Sequence, residues 1–467
     1  MLEAQIELIM KKVEAPAVLA MRPYPPVDLP ETWSQLGGLP ILPAETDWPR
    51  ASDGTPLHFL ARIDCSELPE PRGALPDSGI LQFFARLDDE MIWESQAFDY
   101  SRVVYSATRA GRAVSPPADL PPIHGGQHSY DREMRLPDEP QTRVYPSWPL
   151  TFKNIRTWPM EPSIDPRSGV TLAAYSEAVD RASAAEIVRT TGRPTNPLLQ
   201  ARWGEYEFNR EGKRIVILPQ TVMLPEKPQA VLLPDRKFQP AEFPQAWIMV
   251  ERIARVMACR AAERIGRLRK TLQAGKEPRE DLDPEKLLTD LEHVTRQSLC
   301  WVRRAQSASL DAAISEAEAK EYKDWLTHLA CDDRFEMTEV LSQALKRGMS
   351  YAVKYCGGSR KAAALVPLAY MNRLEGEHAM ISADIFGIAF AVPRWRINTT
   401  HHQLLGHAPT SQDIGVRAAK DILLLHLVSD TGVDFMFCDC GEIQFWINAK
   451  DLAAKRFDRV SANTQGG

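Results

Sequence analysis

No stretch of this 467-residue chain approaches roughly 18 uninterrupted apolar residues, so the sequence offers nothing able to span a bilayer as a helix. Cysteine is scarce and odd in number. Seven are scattered along the chain, which does not make a disulfide framework and points to a reducing cytoplasm. Charge of one sign is not in excess: 56 Lys and Arg face 62 Asp and Glu. The resulting −6 and a pI near 6.0 give no general electrostatic reason to expect a nucleic-acid partner. The first dozen residues mix acids with apolar side chains at helical spacing and read as a short helix, not an export signal. Common catalytic signatures are missing too, since no Walker-type loop, Gly-x-Ser-x-Gly elbow or His-Glu-x-x-His helix occurs. No cofactor and no resident metal are expected, and the prior for an enzyme falls without vanishing.

What is present is a passage written twice. Gly37-Gly38-Leu39-Pro40 precedes the apolar run Leu57 to Ile63, which closes on Asp64 and is followed by Gly79 and Ile80-Leu81-Gln82-Phe83-Phe84. Near the other end Leu405-Gly406-His407-Ala408-Pro409 precedes Ile422 to Val428, then Ser429-Asp430, then Gly441 and Glu442-Ile443-Gln444-Phe445-Trp446. Such a repeat predicts two related half-sheets assembled from distant parts of the chain. The two runs are apolar on both parities, as in central strands covered on both faces. Superposing Ile63 on Leu427 puts Arg62 on His426, a basic or titratable group at one equivalent point of each half. A charged group on a buried strand needs a partner, so each is either a structural ion pair or a ligand contact. Gln82 and Gln444 are equivalent as well and must satisfy both ends of their amides, by a structural hydrogen bond or by recognition.

Between the repeats lie two other regimes. Prolines recur from Ser115 to Pro166, which predicts a long irregular arm wrapped over the sheet and held by Tyr145, Trp148, Phe152 and Trp158. From Pro244 the pattern turns helical: Trp247, Val250, Ile253, Met257, Ala261, Ile265, Leu268 and Leu272 form one stripe, with Arg252, Arg255, Arg260, Arg264 and Arg267 on the remaining surface. That surface is expected to be solvated and paired with nearby acids, with docking of an acidic partner or phosphate as the alternative. Asp283-Pro284 reads as a helix start, and further helices are expected from Leu310 to Leu329 and from Met337 to Tyr355.

Chemistry is sought near the strand ends. Cys438 and Cys440, with His401, His402, His407 and His426 nearby, are types zinc uses, but the two-residue gap of paired cysteine ligands is absent and free thiols are favoured. Asp64, Asp430, Asp434 and Asp439 are candidate paired carboxylates facing each other across a pseudo-two-fold axis, or simply caps on loop amides. Tryptophans including Trp446 are read as core, or as a recognition surface where exposed beside the acidic loops.

The ordered motifs Leu36-Gly37-Gly38-Leu39-Pro40, Trp48-Pro49, Pro56 to Asp64, Leu75 to Phe84, His402 to His407, Asp421 to Asp430, Gly441 to Ile447 and Arg456-Phe457-Asp458 resemble the YwqG family of bacterial proteins. The resemblance covers roughly 30–90 and 400–460. It implies an α+β fold with a mainly antiparallel sheet, a bacterial cytoplasmic setting and no established reaction, and toxin neutralisation is one role it suggests. Arg62 and His426 stand where that family usually has Gln, and Leu405 stands where Gly is common. The expectation is therefore an α+β protein: a sheet half with a Pro-rich arm over 15–240, a helical insertion over 244–358 and a second sheet half over 359–467. Its expected role is to bind a partner protein in a cleft between the halves. The candidate binding residues are Arg62, Asp64, Gln82, His407, His426, Asp430, Asp439, Gln444 and Trp446. The alternative is a small-molecule enzyme or ligand sensor using the acidic loops.

Overall fold

The protein is described from a computed structural model covering residues 3–21, 32–90, 99–125, 133–159, 164, 166–178, 181, 206–208, 214–216, 244–275, 283–330, 335–354, 402–408, 421–430, 433–439 and 441–466. His401, Cys440, Trp93, Trp395 and Tyr355 lie outside these residues. The fold is α+β, with antiparallel pairing throughout the two main sheets. In chain order the strands are β1 (Ala15–Met21), β2 (Gln35–Leu36), β3 (Ile41–Leu42), β4 (His58–Asp64), β5 (Ile80–Ala85), β6 (Ser101–Ser106), β7 (Arg112–Ala113), β8 (Trp148–Pro149) and β9 (Thr151–Thr157). After a separate hairpin of β10 (Tyr206–Phe208) and β11 (Arg214–Val216) come β12 (Gln403–Leu405), β13 (Asp421–Val428), β14 (Glu442–Asn448) and β15 (Ser461–Gln465).

One sheet runs β6-β5-β4-β2-β8 and the other β15-β14-β13-β12-β1-β9. The repeat is visible in the register itself. Arg62 pairs with Gln35 on one side and Gln82 on the other, and His426 pairs in the same way with Gln403 and Gln444. Each half even slips register at the same place, between Phe59 and Ala61 in one and between Leu423 and Leu425 in the other. The turn after the first strand repeats too. Gly37 and Gly38 have φ of 55° and 73°, and Leu405 and Gly406 have 61° and 70°. Gly37 admits no side chain, because a Cβ there would lie 2.1 Å from the Pro146 carbonyl oxygen. Leu405 keeps the left-handed backbone and buries its side chain in the core, which offsets a conformational cost of about 1–2 kcal/mol.

The strands do not divide at residue 240 as the sequence suggests. β1 and β9 both belong to the sheet of the C-terminal half, where β1 pairs with β9 at seven positions and with β12 at three. The proline-rich arm is likewise less irregular than its composition implies: it holds β8 and β9, buries Tyr145 and Trp148 in the main core, and places Trp158 in a smaller cluster under the N-terminal helix α1 (Glu3–Val13).

The inner faces of the two sheets share one core. Ala61, Ile63, Leu81 and Phe83 from one and Leu425, Leu427, Ile443 and Phe445 from the other all belong to it. Phe83 and Phe445, equivalent residues of the two halves, meet edge to face at 5.1 Å, as a pseudo-two-fold relation requires. The Ala462 amide donates to Ser101 Oγ at 3.1 Å, tying β15 to β6. Since side chains alternate along a strand, Gln82 and Gln444 point away from this contact, onto the two outer faces. The outer clusters match as well, Phe59 with Phe84 on one and Leu423 with Trp446 on the other.

Four helices complete the core: α2 (Trp247–Gln273), α3 (Pro284–Ala308), α4 (Glu316–Ala330) and α5 (Phe335–Lys354). α3 starts where Asp283 accepts from the Glu285 and Lys286 amides, both at 3.1 Å, with Pro284 in the first turn. α2 departs from the amphipathic reading. Every residue from Trp247 to Ala258 is buried, including Glu251, Arg252 and Arg255. The Met134 to Glu139 segment covers the supposedly wet face and supplies Arg255 with the Met134 carbonyl and the Glu139 carboxylate. Burial opposes ionisation of Glu251, but Arg252 and Arg255 outweigh it and hold the carboxyl below its usual range. α5 reaches α2 at Gly348, where a Cβ would stand 2.4 Å from Ile253 Cα.

Candidate functional site

The candidate residues do not line a cleft between the halves. Arg62, Asp64, Gln82, His426, Gln444 and Trp446 belong to two equivalent rows on opposite outer faces, because the inner faces are occupied by the shared core. In the N-terminal row every amide is satisfied by the chain itself. Gln35 Nε2 donates to the Gly37 carbonyl at 2.8 Å, and its Oε1 accepts from Arg62 Nη2 at 2.8 Å. Arg62 Nε donates to the Trp33 carbonyl at 2.7 Å, and burial lowers the Arg62 pKa to about 10. Gln82 copies a backbone strand: its Oε1 accepts from the Ile41 amide at 2.8 Å while its Nε2 donates to the Ile41 carbonyl at 2.7 Å. Asp64 closes the row. Its Oδ1 accepts from the Ser66 amide at 2.9 Å and its Oδ2 from Arg109 Nε at 2.6 Å, so it is a cap and an ion-pair partner.

The C-terminal row has the same amides in a different chemistry. Gln403 Nε2 donates to the carbonyls of Leu405 at 2.9 Å and His407 at 2.8 Å, which uses both its hydrogens and fixes the amide's orientation. His426 stands where Arg62 stands, but it turns the other way, bonding Glu442 Oε2 through Nε2 at 3.0 Å. Gln444 Nε2 donates to Glu442 Oε1 at 3.0 Å. Among the described residues Gln403 Oε1 therefore has no counterpart of the Arg62 donor and Gln444 Oε1 has no counterpart of Ile41, and both oxygens are buried without a hydrogen-bond partner there. The indole Nε1 of Trp446, two residues along the same face, is also buried and unpaired.

An imidazole-carboxylate pair flanked by two open carbonyl acceptors and one open indole donor is complementary to an amide. Neutral groups suit it, since added charge is costly at a buried site. Each unmet group carries a desolvation cost of about 1–3 kcal/mol that a matching ligand would relieve.

The other predicted residues have structural work. His407 donates from Nε2 to the Val13 carbonyl at 2.9 Å, and burial lowers its pKa. Asp430 accepts from His402 Nε2 at 3.3 Å, while His402 Nδ1 accepts the Val428 amide at 3.2 Å, the task Ser34 Oγ performs for the Asp64 amide. Asp64 and Asp430 are thus each held within their own half. Asp439 is an exposed turn residue, and Trp446 is buried instead of offering an exposed recognition surface. Cys438 is a buried thiol outside any disulfide, and among the described residues no group of three or more His, Cys, Asp and Glu is placed to hold a metal ion. Sequence reasoning missed Gln403 and Glu442 as members of the row. Gln403 was signalled by Gln35-Leu36-Gly37-Gly38 recurring as Gln403-Leu404-Leu405-Gly406, and Glu442 by an acid standing where the first repeat has Ile80.

A family model for a domain of unknown function, DUF1963, matches residues 34–192 and 276–465. The chain belongs to this family. The two matched segments carry both outer-face rows of this DUF1963 protein, while the whole of α2 falls between them. No curated protein matches the chain. No helix among the described residues is long and apolar enough to cross a membrane.

Proposed function

We propose that this DUF1963 protein is a non-catalytic binding protein that takes an extended segment of a partner protein on the outer face of its C-terminal sheet. One observation carries the reading: Gln444 has the position and strand register of Gln82, whose amide is paired at both ends with a peptide unit, yet its own carbonyl has no partner among the described residues. A partner's backbone amide would fill that role, with Gln403 Oε1 and Trp446 Nε1 as further contacts. The motif order quoted above supports a YwqG-like assignment within the family, and the buried thiols Cys65 and Cys438, neither in a disulfide, suit a reducing cytoplasm. Neutralising a toxin is one form such binding would take.

The test is affinity purification of the full-length protein from its native cells at low salt. A stoichiometric partner protein is expected, and Trp446→Phe and Gln444→Met are expected to cut its recovery several-fold while still melting cooperatively. Absence of a stoichiometric partner, or equal recovery with both variants, overturns the proposal. A second reading, a small-molecule sensor or enzyme, is favoured by the shielding of the three open atoms from solvent, which fits a ligand that is engulfed. A thermal-shift ligand screen repeated on Gln444→Met, Asp64→Ala and Asp430→Ala tests it, and responses identical to wild type in all three dismiss it.

A further inference from the structure

The two halves differ in what meets their outer faces. In the N-terminal half it is the step Ile41-Leu42 of β3: Gln82 holds the Ile41 amide and carbonyl at 2.8 and 2.7 Å, and Leu42 is buried in a cluster with Phe59 and Phe84. In the C-terminal half Leu423 and Trp446, the equivalents of Phe59 and Phe84, have only Ala408 in their apolar cluster among the described residues. Gln35 to Gly38 align without a gap on Gln403 to Gly406, so Ile41-Leu42 falls on Pro409-Thr410. Those two lie outside the described residues, but their chemistry follows from their identity: proline has no amide hydrogen, and threonine has a hydroxyl where leucine is aliphatic. Taking the outer face of the C-terminal sheet as the binding site, we propose that its ligand is a two-residue peptide step, the first residue bearing a backbone N–H and the second aliphatic, which proline at the aligned position leaves to be supplied from outside.

The atoms of the site match this step. Gln444 Oε1, buried with no partner among the described residues, accepts the ligand N–H. Gln444 Nε2 carries two hydrogens and its bond to Glu442 uses one, so the same amide meets the ligand carbonyl as Gln82 meets that of Ile41. Trp446 Nε1, which Phe84 lacks, adds a donor for the carbonyl of a flanking residue. The aliphatic side chain of the second residue rests on Leu423 and Trp446, where a charged one would be desolvated without a partner. A step of two residues is small enough to be enclosed, in keeping with the shielding of Gln444 Oε1 and Trp446 Nε1 from solvent.

Titration calorimetry of the full-length protein with a peptide copy of residues 39–44, acetyl-Leu-Pro-Ile-Leu-Pro-Ala-amide, tests this. Saturable binding is expected. Methylating the isoleucine nitrogen of the peptide should weaken it about tenfold or more, because a buried acceptor is again left unmet. Replacing the leucine that follows isoleucine by serine should weaken it several-fold. Gln444→Met should erase the difference between the methylated and unmethylated peptides. Pro409→Ile combined with Thr410→Leu should fill the site from within, raising the unliganded melting temperature and weakening the peptide about tenfold or more. No saturable binding, equal affinity for the methylated peptide, or a double variant that binds the peptide as wild type does overturns the proposal. The two readings of this face fail separately: a partner captured from native cells through Gln444 and Trp446, with no binding of the hexapeptide, overturns the two-residue recognition alone.

Discussion

His58 spends both ring nitrogens on backbone: the Leu87 amide donates to Nδ1 at 3.0 Å, and Nε2 donates to the Pro121 carbonyl at 3.0 Å. Full burial drives its pKa down to about 4 despite the favourable carbonyl, so the folded protein holds it neutral. The unfolded chain begins to take up that proton near pH 6.5, so stability should fall as pH drops from about 6.5 to about 4 and then level off for this residue. The gap is worth on the order of 3 kcal/mol. His407, also depressed by burial, pushes the same way. Urea titrations from pH 7 to 4 should show this slope, and His58→Gln should flatten it; an unchanged slope contradicts the assignment. Other residues teach what sequence can and cannot say. Equivalence of Arg62 with His426 and of Gln82 with Gln444 was legible from spacing alone, because register follows the repeat. Which atoms stay unpaired was not legible. That depends on Arg62 reaching Gln35 while His426 turns to Glu442, a choice of side-chain direction that no pattern encodes.

Among elements, the central strands were readable because apolar residues on both parities leave few alternatives, and α3 because Asp283-Pro284 marks its start. α2 was readable as a helix but not in its surroundings. Arg252 and Arg255 look solvated by periodicity and are buried, since the segment that covers them is more than a hundred residues upstream. The α2-α5 contact hinges on Gly348, and Gly348→Ala should destabilise the protein by about 1–3 kcal/mol through overpacking against the Ile253 backbone. Denaturant unfolding measures this. A stability change below about 0.5 kcal/mol, ordinary for a surface site, would show that the helices part without cost.

The whole molecule is two repeats whose inner faces become one core, so the sheets should unfold together. Phe83→Leu and Phe445→Leu test this directly, since the two rings meet at 5.1 Å. A double-mutant cycle should return a coupling of about 0.5–1.5 kcal/mol within a single transition, and additive effects with two separate transitions would refute a common core. The repeat foretold this pairing. The exchange of β1 into the distant half it could not foretell, because an apolar strand carries no address for its sheet. That exchange shapes how the chain is made. On the ribosome, β1 can zip to β9 once residue 157 has emerged, but its other edge has no mate until Gln403 to Leu405 follow some 250 residues later. At about 5–20 residues per second the nascent protein carries an open, apolar strand edge for on the order of 10–50 s, the interval in which it is most exposed to mispairing with a neighbouring chain.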